Sequence, residues 1–285
     1  MKPASFRYHA PKTIEEALAM LAEYAPDDGR VLAGGQSLVP TMAFRLARPH
    51  HLVDINGIAA LRRLAVEDGQ LVIGAGVRHQ AFYRPVVEGP LGALLSAVMR
   101  HIAHYPIRTR GTFCGSIAHA DPASEWCLVA ATLGAEMVAR SARGTRVIVA
   151  ADYFRGIMTT ALEPDELLAE VRLPVISDDT RFGFYEFNRR AGDFAMGMAL
   201  VTLRLQDGVI VGPRVGVGAA EAHPRRIAVS EELLTACAPE AAVFQAAGEA
   251  AAAGIDPLTD AQTDAVYRRE LVAVVTRRAL EQAMG

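Results

Sequence analysis

Two glycine-centred stretches constrain this chain more than anything else in it. The first is Val31-Leu32-Ala33-Gly34-Gly35-Gln36-Ser37-Leu38-Val39-Pro40; the second runs from Arg110-Gly111-Thr112-Phe113-Cys114-Gly115-Ser116 to Ser124-Glu125. Consecutive glycines can take the positive-φ geometry that turns successive N–H groups toward an anion, with no Cβ in the way. Ser37, Thr112 and Ser116 add hydroxyl donors, and a helix starting near Leu38 would aim its N-terminus at the same anion. Glu125, opening a later helix, can accept from sugar hydroxyls. A Gly-Gly pair after a strand is more often just a turn, so the pairing of the two stretches carries the reading: a dinucleotide site. It is not a Rossmann site. Gly74-Ala75-Gly76-Val77-Arg78-His79 holds two glycines of GxGxxG without the third, and GxxxxGK[ST] is missing.

The 285 residues suit two or three modest domains, and 51% hydrophobic content supports a sizeable core. A net charge of −3, spread in both signs, is unlike a nucleic-acid footprint. Met1 to Tyr8 has no apolar h-region and no apolar run reaches membrane-span length, so a cytoplasmic protein without a membrane span is expected. Three scattered cysteines, Cys114, Cys127 and Cys237, make neither a disulfide framework nor the four thiolates of an iron–sulfur cluster.

Periodicity predicts a helix over 13–24, with Thr13 and Glu16 as a capping box. Strands follow at 30–32 and 52–55 around a helix at 40–46. A hairpin (61–66, 71–77), helices at 79–87 and 91–103, a loop over 106–122 and a helix over 122–133 come next. A second hairpin (136–139, 146–149) and a strand at 166–173 lead to a polar boundary at 175–180. Beyond it lie three antiparallel strands (182–189, 196–206, 209–219) and helices near 229–236, 239–253 and 263–283.

The motifs carry a resemblance. Ala33 to Pro40, followed by Arg45-Leu46-Ala47-Arg48-Pro49 and Leu52-Val53-Asp54-Ile55, then Arg110-Gly111-Thr112 through His119-Ala120-Asp121-Pro122-Ala123-Ser124-Glu125, then Arg190-Ala191-Gly192-Asp193-Phe194-Ala195, occur in order over essentially the whole chain. In these motifs it resembles the FAD-binding medium subunit of molybdenum hydroxylases, the family of carbon monoxide dehydrogenase, quinoline 2-oxidoreductase and the flavin domain of xanthine dehydrogenase. The resemblance implies an α+β chain. Two α/β FAD-binding subdomains of the PCMH (vanillyl-alcohol-oxidase) type, 1–56 and 57–176, would precede a C-terminal domain, 177–285, of a three-stranded antiparallel sheet with a helical bundle. It implies an oxidoreductase role: FAD in this chain, electrons received from [2Fe–2S] clusters on a small subunit and passed to an external acceptor. A large subunit would carry the molybdenum cofactor, and the assembly would be a dimer of heterotrimers.

By position, the resemblance assigns Ala33, Gly34, Gly35, Gln36, Ser37 and Leu38, with Thr112, Gly115 and Ser116, to the FAD pyrophosphate. Ile102 and Ala103 fall on the adenine side; Ala118, Ser124 and Glu125 along the ribose and ribityl chain. Val171 is assigned to the isoalloxazine edge and Phe194 to one face of the ring, and Glu186 stands where some relatives have Lys. The chain departs from the common Thr-Ile-Gly-Gly-Asn at Phe113, Cys114 and Ser116, and from the commoner Asp at Glu125. Cys114 in place of Gly requires αR or β backbone there.

Other readings compete. His101, His104 and His119 could be metal ligands but lack a fourth partner, and ordinary helix histidines suit them better. Cys114 is a redox thiol or a small packing residue. Arg189 and Arg190 balance the cofactor's charge, pair at an interface or are solvated. Trp126 and Cys127 open a buried helix. No catalytic side-chain set is present; a flavin would supply the chemistry. The alternatives to an electron-transfer subunit are a free-standing FAD-dependent oxidoreductase of the same fold and a non-catalytic nucleotide-binding module.

Overall fold

The computed structural model describes residues 2–285. The chain builds three main sheets in sequence order. The first holds β1 (Arg7–His9), β2 (Gly29–Leu32) and β3 (His51–Asp54), all parallel in the order β1-β3-β2. Parallel strands need crossovers, which α1 (Ile14–Tyr24) and the short α2 (Leu38–Ala43) supply. Thr13 caps α1 by accepting from the Glu16 N–H at 3.1 Å, and Glu16 reaches back to the Lys12 N–H at 2.7 Å, one residue before the expected partner. Ala17, Leu18 and Leu21 form the buried stripe of α1. The three-residue β1 carries no alternation that a sequence reading could detect.

A five-stranded antiparallel sheet follows: β4 (Leu64–Glu67), β5 (Gln70–Gly74), β6 (Glu136–Ser141), β7 (Gly144–Val149) and, later in the chain, β10 (Leu167–Pro174), in the order β4-β5-β10-β6-β7. Between its halves lie α3 (Gly89–Met99), α4 (Tyr105–Arg110), α5 (Phe113–His119) and α6 (Glu125–Leu133). After β7 come α7 (Ala150–Tyr153) and a small ribbon of β8 (Phe154–Gly156) and β9 (Thr159–Thr160). Two expectations change here. Residues 79–87 make only a tight 3₁₀ turn, His79–Tyr83, because Pro85 stops a helix. Residues 106–122, expected as loop, hold two short helices broken at Gly111. Pro106 sits in the first turn of α4, where its missing N–H costs nothing, and the Thr112 hydroxyl accepts from the Gly115 N–H at 3.0 Å to cap α5.

The third sheet contains the three expected long strands, β11 (Arg181–Phe187), β12 (Gly197–Gln206) and β13 (Val209–Gly218), plus an unforeseen two-residue edge strand, β14 (Arg225–Arg226). Against it pack α8 (Ala228–Leu234) and α10 (Ala265–Met284), and α9 (Ala241–Ala253) packs on both helices. Val275, Ala279 and Leu280 of α10 meet Ala199, Val201 and Leu203 of β12 in one apolar cluster. The largest core runs through the first two sheets and reaches Met198, Leu200 and Ala219 of the third. Its aromatic centre is Phe82, Phe113 and Trp126, with ring centroids 4.8–5.6 Å apart. That cluster fixes α5 and α6 against the 3₁₀ turn, and so fixes the second glycine stretch.

Candidate cofactor site

The first glycine turn leaves the C-terminal end of β2. Gly35 has φ +71°, the left-handed region, while Gly34 is needed for proximity: a Cβ there would lie 2.6 Å from the Gly111 α-carbon and closer still to the Arg110 carbonyl oxygen. The two glycine stretches therefore meet backbone to backbone. Gln36 and Ser37 follow, and among the described residues their backbone N–H groups make no hydrogen bond. The Ser37 side chain does not cap α2, so its hydroxyl remains free, and Gln36 Nε2 donates to the Gly34 carbonyl at 3.1 Å. Asn56, just beyond β3, donates to the Ala33 carbonyl at 2.7 Å and holds the base of the turn.

The second stretch is held from behind by Val77, Arg78 and His79. Phe113 N–H donates to the Val77 carbonyl and His79 N–H to the Gly111 carbonyl, both at 3.0 Å. The Arg78 guanidinium donates to the Arg110 carbonyl and, at 2.5 Å, to Asn56 Oδ1, which ties the two turns together. Burial lowers the pKa of Arg78, with Arg62 and Arg110 adding to the shift. Cys114 is buried in α5, so its backbone is helical as required. Its Sγ donates to the Ile73 carbonyl at 3.3 Å and burial pushes the thiol far above the usual range, which leaves it a packing residue.

A second cluster lies where α3, α4 and α6 meet the third sheet. Arg108 gathers three carbonyls, Ile102 at 2.5 Å, Arg100 at 2.6 Å and Ala103 at 3.0 Å, and so shapes the turn in which Ala103 has φ +42°. Glu186 on β11 accepts from Asn188 at 2.9 Å and pairs with His101 at 3.1 Å, while its Oε2 is buried without a partner. Burial, and then the Glu186 carboxylate, push the Glu125 carboxyl up to about 8, so it holds its proton at neutral pH. The His104 ring abuts Gly192, which brings the segment bearing Phe194, 69% exposed, over this turn.

This arrangement can be set beside known proteins. Residues 4–176 match the model of the FAD binding domain in molybdopterin dehydrogenase, and residues 182–283 that of the CO dehydrogenase flavoprotein C-terminal domain. The chain belongs to the family of molybdopterin dehydrogenase FAD-binding proteins. It is 36% identical to the nicotine 6-hydroxylase medium subunit of Paenarthrobacter nicotinovorans, over 99% of each chain. Carbon monoxide dehydrogenase from Hydrogenophaga pseudoflava superposes with a TM-score of 0.95 at 34% identity, covering 100% of this chain and 99% of that one. Quinoline 2-oxidoreductase from Pseudomonas putida 86 gives 0.93 at 34% identity, with the same coverage. This is thus a flavoprotein chain of an oxidoreductase, built as the medium subunit of carbon monoxide dehydrogenase-like complexes, with FAD as its cofactor.

The family's cofactor fits what the residues offer. An FAD pyrophosphate needs converging N–H donors without side chains in the way; Gly34, Gly35, Gln36 and Ser37 provide them, with Leu38 opening α2 behind. Thr112, Gly115 and Ser116 lie on the first turn of α5 across the Gly34–Gly111 contact. The Thr112 hydroxyl accepts at the cap and keeps its own proton, but Thr112 is buried, so Ser116 is the more accessible donor of the two. Ala118 is exposed on α5; Ser124 caps α6 by position only and is buried; Glu125 follows it. Arg108 holds the Ile102 and Ala103 carbonyls and its charge reaches Glu125, which also feels the Glu186 carboxylate, and the orphaned Glu186 Oε2 calls for a donor.

Val171 lies in the middle of β10, the central strand, is buried and pairs with Ile73 and Met137, so its side chain belongs to the core. Asn56, Arg78, His79 and Arg108 are site-supporting residues that the sequence reading did not place. For Arg78 and His79 the abortive GxGxxG was the signal: they form its tail, the segment that clamps the second stretch. Among the described residues no helix is long and apolar enough to cross a membrane.

Proposed function

We propose that this chain holds FAD where the two glycine stretches meet and works as the electron-transfer subunit of a molybdenum hydroxylase. Bound FAD would supply the exchange between two-electron and one-electron chemistry. The chain would receive electrons from [2Fe–2S] clusters of a small subunit and pass them to an external acceptor, while a large molybdenum-cofactor subunit hydroxylates the substrate. The observation that carries this is the Gly34–Gly111 contact with the free N–H groups of Gln36 and Ser37 beside it. The relatives named above support the division of labour.

In this reading the 33–38 turn and Thr112, Gly115 and Ser116 bind the pyrophosphate, and Ile102 and Ala103 flank the adenine. Ala118, Ser124 and Glu125 follow the ribose and ribityl chain. Protonated Glu125 donates as well as accepts there, and Glu186, anchored by His101 and Asn188, offers its buried oxygen to a hydroxyl. Phe194 covers a ring face, which its exposure permits. The subdomains divide at 56/57 and 176/177, and the assembly is a cytoplasmic dimer of heterotrimers.

The test is reconstitution. The chain alone is expected to bind FAD but to oxidise no hydroxylase substrate until both partner subunits are added. Substrate turnover by this chain alone would refute the electron-transfer role.

A further inference from the structure

His79 is a buried titratable group that the cofactor contacts above do not use. It is 3% exposed. Its Nδ1 lies 3.0 Å from Trp126 Nε1. An indole nitrogen only donates, so Nδ1 is bare and the ring proton sits on Nε2. The opposite edge of the ring faces Gly111, where a Cβ would lie 2.5 Å from Nε2. Gly111 in turn carries Gly34. The imidazole is therefore a wedge between the aromatic core and the junction of the two glycine stretches.

The surroundings keep this wedge neutral. Burial, with Arg78 on its own segment and Arg108 on α4, lowers the pKa of the ring to about 4. From α6 it meets the neutral indole of Trp126, and α3 bears no charged side chain at all. A second proton on the ring would set Nδ1–H against the indole N–H, two donors with no acceptor, and leave a cation buried beside two arginines.

We infer that His79 is a positioning residue for the cofactor site: its neutral ring, accepting from Trp126, holds Gly111 against Gly34, and protonation opens that junction and releases FAD. The inference rests on the reading that the junction binds FAD. It assigns a role to a residue with no direct contact to the cofactor.

Trp126 is the chain's single tryptophan, so its emission reports on this hydrogen bond. The full chain, loaded with FAD, is titrated from pH 7 downward while Trp126 emission and released FAD are both followed. The two changes are expected to coincide with a midpoint near pH 4. His79→Asn keeps an acceptor oxygen near the place of Nδ1 and cannot take up a proton in this range. It is expected to bind FAD at pH 7 and to move release down by about one pH unit or more. His79→Leu leaves the indole N–H unpaired and is expected to weaken FAD binding at pH 7 by roughly tenfold. Release from His79→Asn at the wild-type pH, or wild-type FAD affinity in His79→Leu, would overturn the inference while leaving the cofactor reading intact. A folded wild-type chain that binds no FAD at any pH would overturn both.

Discussion

The α-carbon of Gly111 stands where a side chain on residue 34 would begin: a Cβ on Gly34 would lie 2.6 Å from it. The obstacle is backbone, so no rotamer relieves it. Gly34→Ala is expected to push the two stretches apart, at about 1–3 kcal/mol of stability, the usual range for overpacking a tight site. FAD affinity is expected to fall at least tenfold, about 1.4 kcal/mol. Denaturant unfolding and FAD titration read the two effects separately.

Gly35 makes a different demand. Its φ of +71° is costly for a branched residue, and a Cβ would meet Val39 Cγ2 at 3.2 Å and Leu32 Cδ1 at 3.3 Å. Gly35→Val is expected to lose FAD during purification, with a penalty of at least ~1–2 kcal/mol. Gly35→Asn, a residue that visits this region more readily, is expected to retain more cofactor. Unchanged FAD stoichiometry in Gly35→Val would remove the first turn from the site.

Glu125 makes the apoprotein sensitive to alkali. Its carboxyl titrates near 8 in the fold against 4.5 for the free side chain, so between those values the folded state binds more protons. The stabilising contribution is complete below pH 4.5 and is lost as pH rises through 8, on the order of 5 kcal/mol. Glu125→Gln, fixed in the neutral form, is expected to flatten the fall in apoprotein Tm between pH 6 and 9. A wild-type Tm that does not fall over this range would contradict the protonated carboxyl.

His79 acts on the acid side with the opposite sign. Its folded value near 4 lies below the ordinary 6.5, so the unfolded chain binds more protons between them. Stability from this group is present above pH 6.5 and is lost as pH falls toward 4, roughly 3 kcal/mol. Urea midpoints at pH 7 and pH 4.5 should differ less in His79→Asn than in wild type.

Much of the architecture was legible because its elements are long and periodic. The α1 stripe of Ala17, Leu18 and Leu21 and the paired β12 and β13 follow directly from residue spacing. What escaped was short or tertiary. The three residues of β1 and two of β14 are strands only because a neighbour pairs with them. The two short helices in the stretch expected as loop have only about two turns each, one opened by Pro106 and the two separated by Gly111. The central place of β10 in its sheet, which makes the Val171 side chain core, also follows from sheet order and not from local pattern. The meeting of Glu186 with His101, and of Gly34 with Gly111, depends on segments far apart in sequence. So does the support from Arg78 and His79, whose motif looked like a failed nucleotide loop.

The most direct measurement is the visible spectrum of the purified chain, with FAD titrated into the wild type and Gly34→Ala side by side. The wild type is expected to show oxidised-flavin bands near ~370 and ~450 nm with about one FAD per chain, and Gly34→Ala, folded by circular dichroism, markedly less. Equal FAD content in the two, or a folded wild-type chain that takes up none with or without its partner subunits, would contradict the assignment of the cofactor to the junction of the two glycine stretches.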